Sequence, residues 1–121
     1  VVPVNRGAFC FPRAARLGKN RNYRYVYRKG KSFPSRSVVL IYLRAKELKI
    51  GFSVSGKVGN AVVRNRVRRW LREDVRLLRP NLKPGKYIFV ARSSAAEIEH
   101  GALTREIRRT LERAELLKED Q

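Results

Sequence analysis

The chain has no methionine, one cysteine, one histidine and one tryptophan in 121 residues, and no acidic residue precedes Glu47. Each scarcity excludes something. A single thiol, Cys10, cannot close an internal disulfide, so the chain reads as an intracellular, cytoplasmic protein held together by its core. One histidine, His100, and one cysteine offer no zinc-ligand spacing and no identifiable nucleophile and base. The pairs Glu73/Asp74 and Glu97/Glu99 are consecutive or alternate along the chain instead of convergent, which leaves a protein-borne metal nuclease without ligands. No apolar run approaches the roughly 18 residues of a membrane-spanning helix, and the first twelve residues lack the apolar stretch of a signal peptide. Without methionine, residue 1 is not an initiator, so the start lies upstream or was removed; residues 1–15 read as a flexible tail.

Positive charge is abundant. There are 29 Lys+Arg against 10 Asp+Glu, a formal net charge of +19. Charge of this size implies a polyanionic partner, and with no membrane segment the expected partner is nucleic acid. A hydrophobic content of 43% supports one modest core, expected over 16–117 with 118–121 as a short tail. Seven of the ten acids fall in 97–121. That segment spaces Ile98, Leu103, Ile107 and Leu111 by fours and fives, which predicts an amphipathic helix over 95–117, with Gly101 marking a later true start. This helix is expected to pack on the domain and contribute little to binding.

"SVVLIYL" (37–43) and "LKIGFSVS" (48–55) are rich in β-branched and aromatic residues and predict an antiparallel pair. "KYIFVAR" (86–92) predicts a third strand after the turn "RPNLKPG". A fourth is expected near Lys31 to Ser35 or within the first run. Tyr23, Val26 and Tyr27 stand at i, i+3 and i+4 on a short helix ended by Gly30. The order of helices and strands is that of an α+β sandwich.

"GNAVVRNRVRRWLRE" (59–73) holds five arginines and no lysine. On a helical wheel with Arg64 at zero, Arg64, Arg68, Arg72, Asn65, Arg76 and Arg69 fall between 0° and about 140°, while Leu77, Trp70, Val63, Val67, Leu78 and Leu71 fall between roughly 220° and 340°. Arg66, near 200°, lies on the flank. Like charges at i and i+4 cost about 0.2–0.5 kcal/mol each, and an ordinary solvated face would intersperse glutamate. Arginine in place of lysine favours planar, bidentate phosphate contacts. Two near-motifs precede this helix. "GFSVSGKV" (51–58) has Gly51, Gly56 and Lys57 of a phosphate loop but Val58 where a magnesium-binding hydroxyl is needed. "GKVG" resembles a KH-type loop, yet a strand precedes it, so a glycine turn joining strand to helix is the better account, with Lys57 placed to hold a phosphate.

"KVGNAVVRNRVRRWLRE" (57–73) resembles the signature of the protein subunit of bacterial ribonuclease P, and "RLGKNRNYRYVYRKGKS", "GFSVSGK" and "YIFVAR" extend the resemblance over about 16–117. It implies a four-stranded, mostly antiparallel sheet with three helices in a two-layer sandwich, containing a left-handed βαβ crossover. It further implies a protein cofactor of a ribozyme, with no catalytic residue of its own. Ribonuclease P RNA and its Mg2+ ions would cleave precursor tRNA in the cytoplasm, and no protein oligomer would be required. By position, Lys57, Arg64, Asn65, Arg66, Arg68, Arg69 and Arg72 match residues facing the catalytic RNA. Tyr23 and Tyr27 match aromatics of the cleft for the 5′ leader, with Val39 and Ile41 on its sheet side and Arg92 reaching a phosphate. A non-catalytic basic RNA binder, such as a small ribosomal protein, would share charge, size and architecture.

Overall fold

The computed structural model describes residues 16–18 and 20–118; the expected tail at 1–15, Cys10 included, lies outside them. The elements run α1 (Asn20–Lys29), β1 (Lys31–Pro34), β2 (Val38–Leu43), β3 (Lys49–Val54), α2 (Ala61–Leu78), β4 (Lys86–Ala91) and α3 (His100–Arg113). Short 3-10 turns lie at Arg79–Asn81 and Ser93–Ala96. The α+β class, the four strands, most of them antiparallel, and the three helices agree with the expectation, and the fourth strand lies where Lys31 to Ser35 suggested.

The sheet order is β1-β2-β4-β3, with β1/β2 and β2/β4 antiparallel and β3/β4 parallel. The expected β2/β3 hairpin is therefore wrong: β4 is inserted between them, from Val38 opposite Ala91 to Leu43 opposite Lys86. Burial explains the insertion. Tyr87, Ile88 and Phe89 are at most 1% exposed, so consecutive residues on opposite faces of β4 are both covered, as suits a strand at the centre of the sheet. The parallel β3/β4 pair is joined through α2, as a βαβ crossover requires.

The main core lies on one face, where Leu40, Tyr87 and Phe89 meet Val67, Leu71 and Val75 of α2 and Leu103, Ile107 and Leu111 of α3. On the other face a smaller cluster joins Leu17 and Val26 to Ile88, with Tyr23, Ile41, Leu43 and Val90 packed around it. Helix α1 ends at Lys29, and the next position is glycine because a Cβ there would come within 2.7 Å of Val26 O and 2.8 Å of Tyr42 O. Backbone, not a movable side chain, fills that space.

Helix α2 is rotated from the expected orientation. Its buried residues, Val67, Leu71, Asp74 and Val75, centre near 320° on the wheel, about 40° from the predicted apolar centre. Leu77 is consequently 65% exposed and not part of the core, while Val75 is fully buried. Arg76, expected on the arginine face, is half-buried. Helix α3 is shorter than 95–117 at both ends. Gly101 does lie in its first turn, and beyond Arg113 the chain reverses through Glu115 at φ 60, a left-handed conformation that a helix cannot continue. Leu116 then folds back into the core, its carbonyl accepting from the Lys83 N–H.

Candidate nucleic-acid interface

Helix α2 begins cleanly because Asn60 caps it: its Oδ1 accepts from the Val63 N–H at 3.1 Å. Local contacts then aim the first arginines. Arg64 Nε donates to Gly59 O at 3.2 Å, and Arg68 Nη1 donates to Asn65 Oδ1 at 3.0 Å. Asn65, Arg69 and Arg72 are exposed, Arg64 and Arg68 half-buried at the rim of the core face. Among the described residues none of these arginines pairs with a carboxylate. Lys57 is exposed in the turn before the helix, with its N–H turned to Ser55 Oγ at 3.3 Å. Lys57, Arg64, Asn65, Arg68, Arg69 and Arg72 are thus all on or beside one helix and open to a ligand.

Tyr23 lies across the outer edge of β3. Its hydroxyl accepts from the Phe52 N–H at 3.2 Å, and its ring covers Gly51, where a Cβ would come within 2.5 Å of the phenol oxygen. Glycine at 51 is what lets the ring approach. Burial raises the Tyr23 phenol above its ordinary pKa, outweighing the Phe52 hydrogen bond and the nearby Arg72 charge, so the group stays neutral. A groove of about 310 Å³ is shared by Tyr23, Gly51, Arg68 and Arg72, which makes the aromatic site and the arginine face neighbours. Tyr27, one turn along α1, is 42% exposed and so is no part of a core stripe; Val26 alone of the three predicted positions is fully buried. Val39 and Ile41 are half-buried opposite Val90 and Ile88, and Ile41 packs in the same small cluster as Tyr23. Arg92 is held at the β1–β2 turn, Nη1 donating to Ser35 O at 3.0 Å.

Arg66 is used differently from its neighbours. Its guanidinium lies over Trp70 at 5.2 Å and donates to Ala96 O at 2.8 Å. Trp70 in turn stacks on His100, centroids 4.8 Å apart and planes within 2°. His100 Nε2 sits 3.0 Å from Asp74 Oδ1, which also accepts from Thr104 Oγ1 at 2.9 Å. The stack and the carboxylate tie α2 to α3. Sequence reasoning missed this network; the sign available was Asp74 on an apolar face with a hydroxyl and the lone histidine in the next helix.

Asp74 is 5% exposed, and burial raises its carboxyl above the usual range, with Thr104 and His100 opposing the rise. A raised acid pKa means the native state binds the proton more tightly than the unfolded chain. This group therefore adds stability as pH falls through its raised pKa and subtracts stability above it. Asp74→Asn is expected to be no less stable than the parent at neutral pH and to fall behind it as acid protonates the parent's Asp74 carboxyl. His100→Ala, which removes a partner of a buried acceptor, is expected to cost about 1–3 kcal/mol. Urea denaturation of both variants over a series from neutral to acid pH measures this.

The ribonuclease P family model matches residues 11–115. A protein of an Exiguobacterium species named "Ribonuclease P protein component" is 39% identical over 103 residues, covering 84% of this chain and 90% of the relative. A protein of the same name from Listeria innocua is 36% identical over 108 residues, covering 86% and 91%. The solved ribonuclease P protein of Staphylococcus aureus superposes with a TM-score of 0.82 at 28% identity, over 88% of this chain and 100% of that one. That of Thermotoga maritima superposes at 0.73 with 22% identity, over 81% and 96%, a likeness of fold.

Proposed function

Since the chain belongs to the ribonuclease P protein family, we propose that it is the protein cofactor of a ribozyme, holding the catalytic RNA on α2 and the 5′ leader of precursor tRNA in the Tyr23 cleft. Family membership carries a role in tRNA processing with ribonuclease P RNA. The finer assignment rests chiefly on one observation, the unpaired arginine face opening into the same groove as Tyr23. Arginine forks suit backbone phosphates, and a neutral phenol on a sheet edge suits an unpaired base. Lys57, Arg64, Asn65, Arg68, Arg69 and Arg72 would meet the catalytic RNA. Arg66 would act mainly by fixing α2 to the 3-10 turn at Ser93–Ala96. Tyr23, Tyr27, Val39 and Ile41 would line the leader cleft, and Arg92 would meet a phosphate farther along.

Among the described residues no group of three His, Cys, Asp or Glu side chains could hold a metal ion. On this reading magnesium would be held mainly by the RNA, where it would supply the charge stabilisation and activated water that cleavage needs. The protein residues bind and orient the substrate. Among the described residues no helix is long and apolar enough to cross a membrane, and action in the cytoplasm as a single protein copy fits this reading.

The test is leader dependence. With protein present, the Michaelis constant of the assembly should fall for precursor tRNA carrying a leader of several nucleotides, and should not change when the leader is cut to one. A fall independent of leader length would place the protein's effect on the RNA fold alone, as for a structural binder.

A further inference from the structure

A second cationic groove lies away from the arginine face of α2, between α3 and the β1–β2 turn. It encloses about 810 Å³ and is lined by Ser35, Arg36 and Ser94 on one side and by Arg105, Arg109 and Arg113 on the other. The three α3 arginines follow one another at i+4, a row about 12 Å long. Arg36, Arg105 and Arg109 are exposed, and among the described residues their guanidinium groups make no hydrogen bond or ion pair, while the Arg36 carbonyl accepts from Ser94 Oγ at 2.7 Å. Their neighbour Arg108, which lies outside the groove, does pair, with Glu112 at 3.4 Å. Arg113 donates to Pro34 O, and Arg92 at the same turn to Ser35 O, which leaves each guanidinium with donors to spare.

Two carboxylates also line the groove. Glu106 is committed to structure: its Oε2 accepts from Ser35 Oγ at 2.7 Å, Ser37 N at 2.6 Å and Val38 N at 3.0 Å, so it holds the turn in place. Glu97 is exposed at the mouth. The lining remains positive, with four arginines against two acids. A row of unpaired like charges on one helix opposes folding unless a ligand neutralises it, and its length suits consecutive charges of a polymer better than one small anion.

The geometry points to a second binding site for an RNA backbone, in which Arg36, Arg105 and Arg109 contact phosphates of a segment other than the one on α2. The inference rests on the reading that RNA covers the α2 arginines. Helix α2 packs chiefly against β3, at one edge of the sheet, while the second groove is built on the turn joining β1 to β2, toward the other edge. Strand spacing puts those edges about 14 Å apart. Bound at both, the protein would clamp two RNA segments in a fixed relation.

The experiment is filter binding of the full chain to ribonuclease P RNA across a salt series. Arg105→Gln with Arg109→Gln is expected to keep or slightly raise the parent's thermal midpoint and reduce the slope of log affinity against log salt by roughly 1.5, for two lost phosphate contacts. Arg105→Lys with Arg109→Lys, which keeps the charge, should retain most of the slope. An unchanged slope in the glutamine variant overturns the inference. So does an unchanged RNA slope accompanied by lost adsorption to phosphatidylserine vesicles or to polyglutamate, which would assign the groove to another polyanion. Arg64→Gln with Arg68→Gln is run beside it: if that pair also leaves the slope unchanged, the function reading itself fails, and this inference with it.

Discussion

Replacing Arg68, Arg69 and Arg72 together by glutamine is expected to remove most of the salt dependence that α2 contributes to binding of ribonuclease P RNA. With about five phosphates neutralised on α2, a fourfold rise in salt costs those contacts on the order of a hundredfold in affinity; with two left it costs about tenfold. These three side chains are the ones to change because they point away from the core or sit at its rim and pair with no carboxylate. The stability of the free protein should hold, or rise slightly as like charges at i and i+4 disappear. Arg66→Gln is the contrasting variant. Its guanidinium is stacked on Trp70 and bonded to Ala96 O, so its loss should lower the unfolding midpoint while changing the salt slope little. A filter-binding salt series and a thermal melt on the same preparations separate the two effects.

The second large effect belongs to the cleft. Tyr23→Ala with Tyr27→Ala should weaken binding of precursor tRNA to the assembled enzyme by about 1–3 kcal/mol per stacked base lost, leaving mature tRNA and the catalytic RNA bound as before. The two tyrosines differ in what else they do. Tyr27 is 42% exposed, so its removal alone should not affect stability. Tyr23 meets the Phe52 N–H on the outer edge of β3, beside the Arg16–Ile50 bridge, so Tyr23→Ala also costs some stability. Gly51→Ala provides an independent route to the same loss. Its Cβ would meet the Tyr23 hydroxyl at 2.5 Å and displace the ring, so precursor binding should weaken with both tyrosines still present. Equal weakening of precursor and mature tRNA in these variants would mean that the tyrosines serve packing and not the leader.

Much of this architecture was legible in local sequence. Strands at 37–43, 48–55 and 86–92 follow from β-branched and aromatic runs, and Gly30 and Gly101 mark helix ends as expected. Strand order was not legible, because a short polar link suggests a hairpin whether or not a later strand inserts. Only the burial of both faces of β4 decides the matter, and burial depends on partners far along the chain. The orientation of α2 failed for a related reason. Trp70 and Leu77 drew the apparent apolar face toward themselves, but Trp70 stacks on His100 at the helix flank and Leu77 lies in solvent. Val75 took the buried place. Gly51 beneath Tyr23 resembles, in sequence, one glycine of a phosphate loop, since nothing local says that a ring from α1 will cover it. The arginine row of α3 was hidden by composition. Its segment carries most of the acids, and the net charge of a helix says nothing about which face holds which sign.

The central claim is that these surfaces make an RNA enzyme work on precursor tRNA, and the most direct measurement is cleavage at low magnesium. Ribonuclease P RNA is mixed with leader-bearing precursor tRNA at a magnesium concentration where the RNA alone is inactive, and release of the 5′ leader is followed with and without the protein. Leader release that appears on adding the protein, and is lost with the Arg68, Arg69 and Arg72 glutamine variant, is the result predicted. Tight binding of the protein to the RNA with no cleavage at any protein concentration would contradict it.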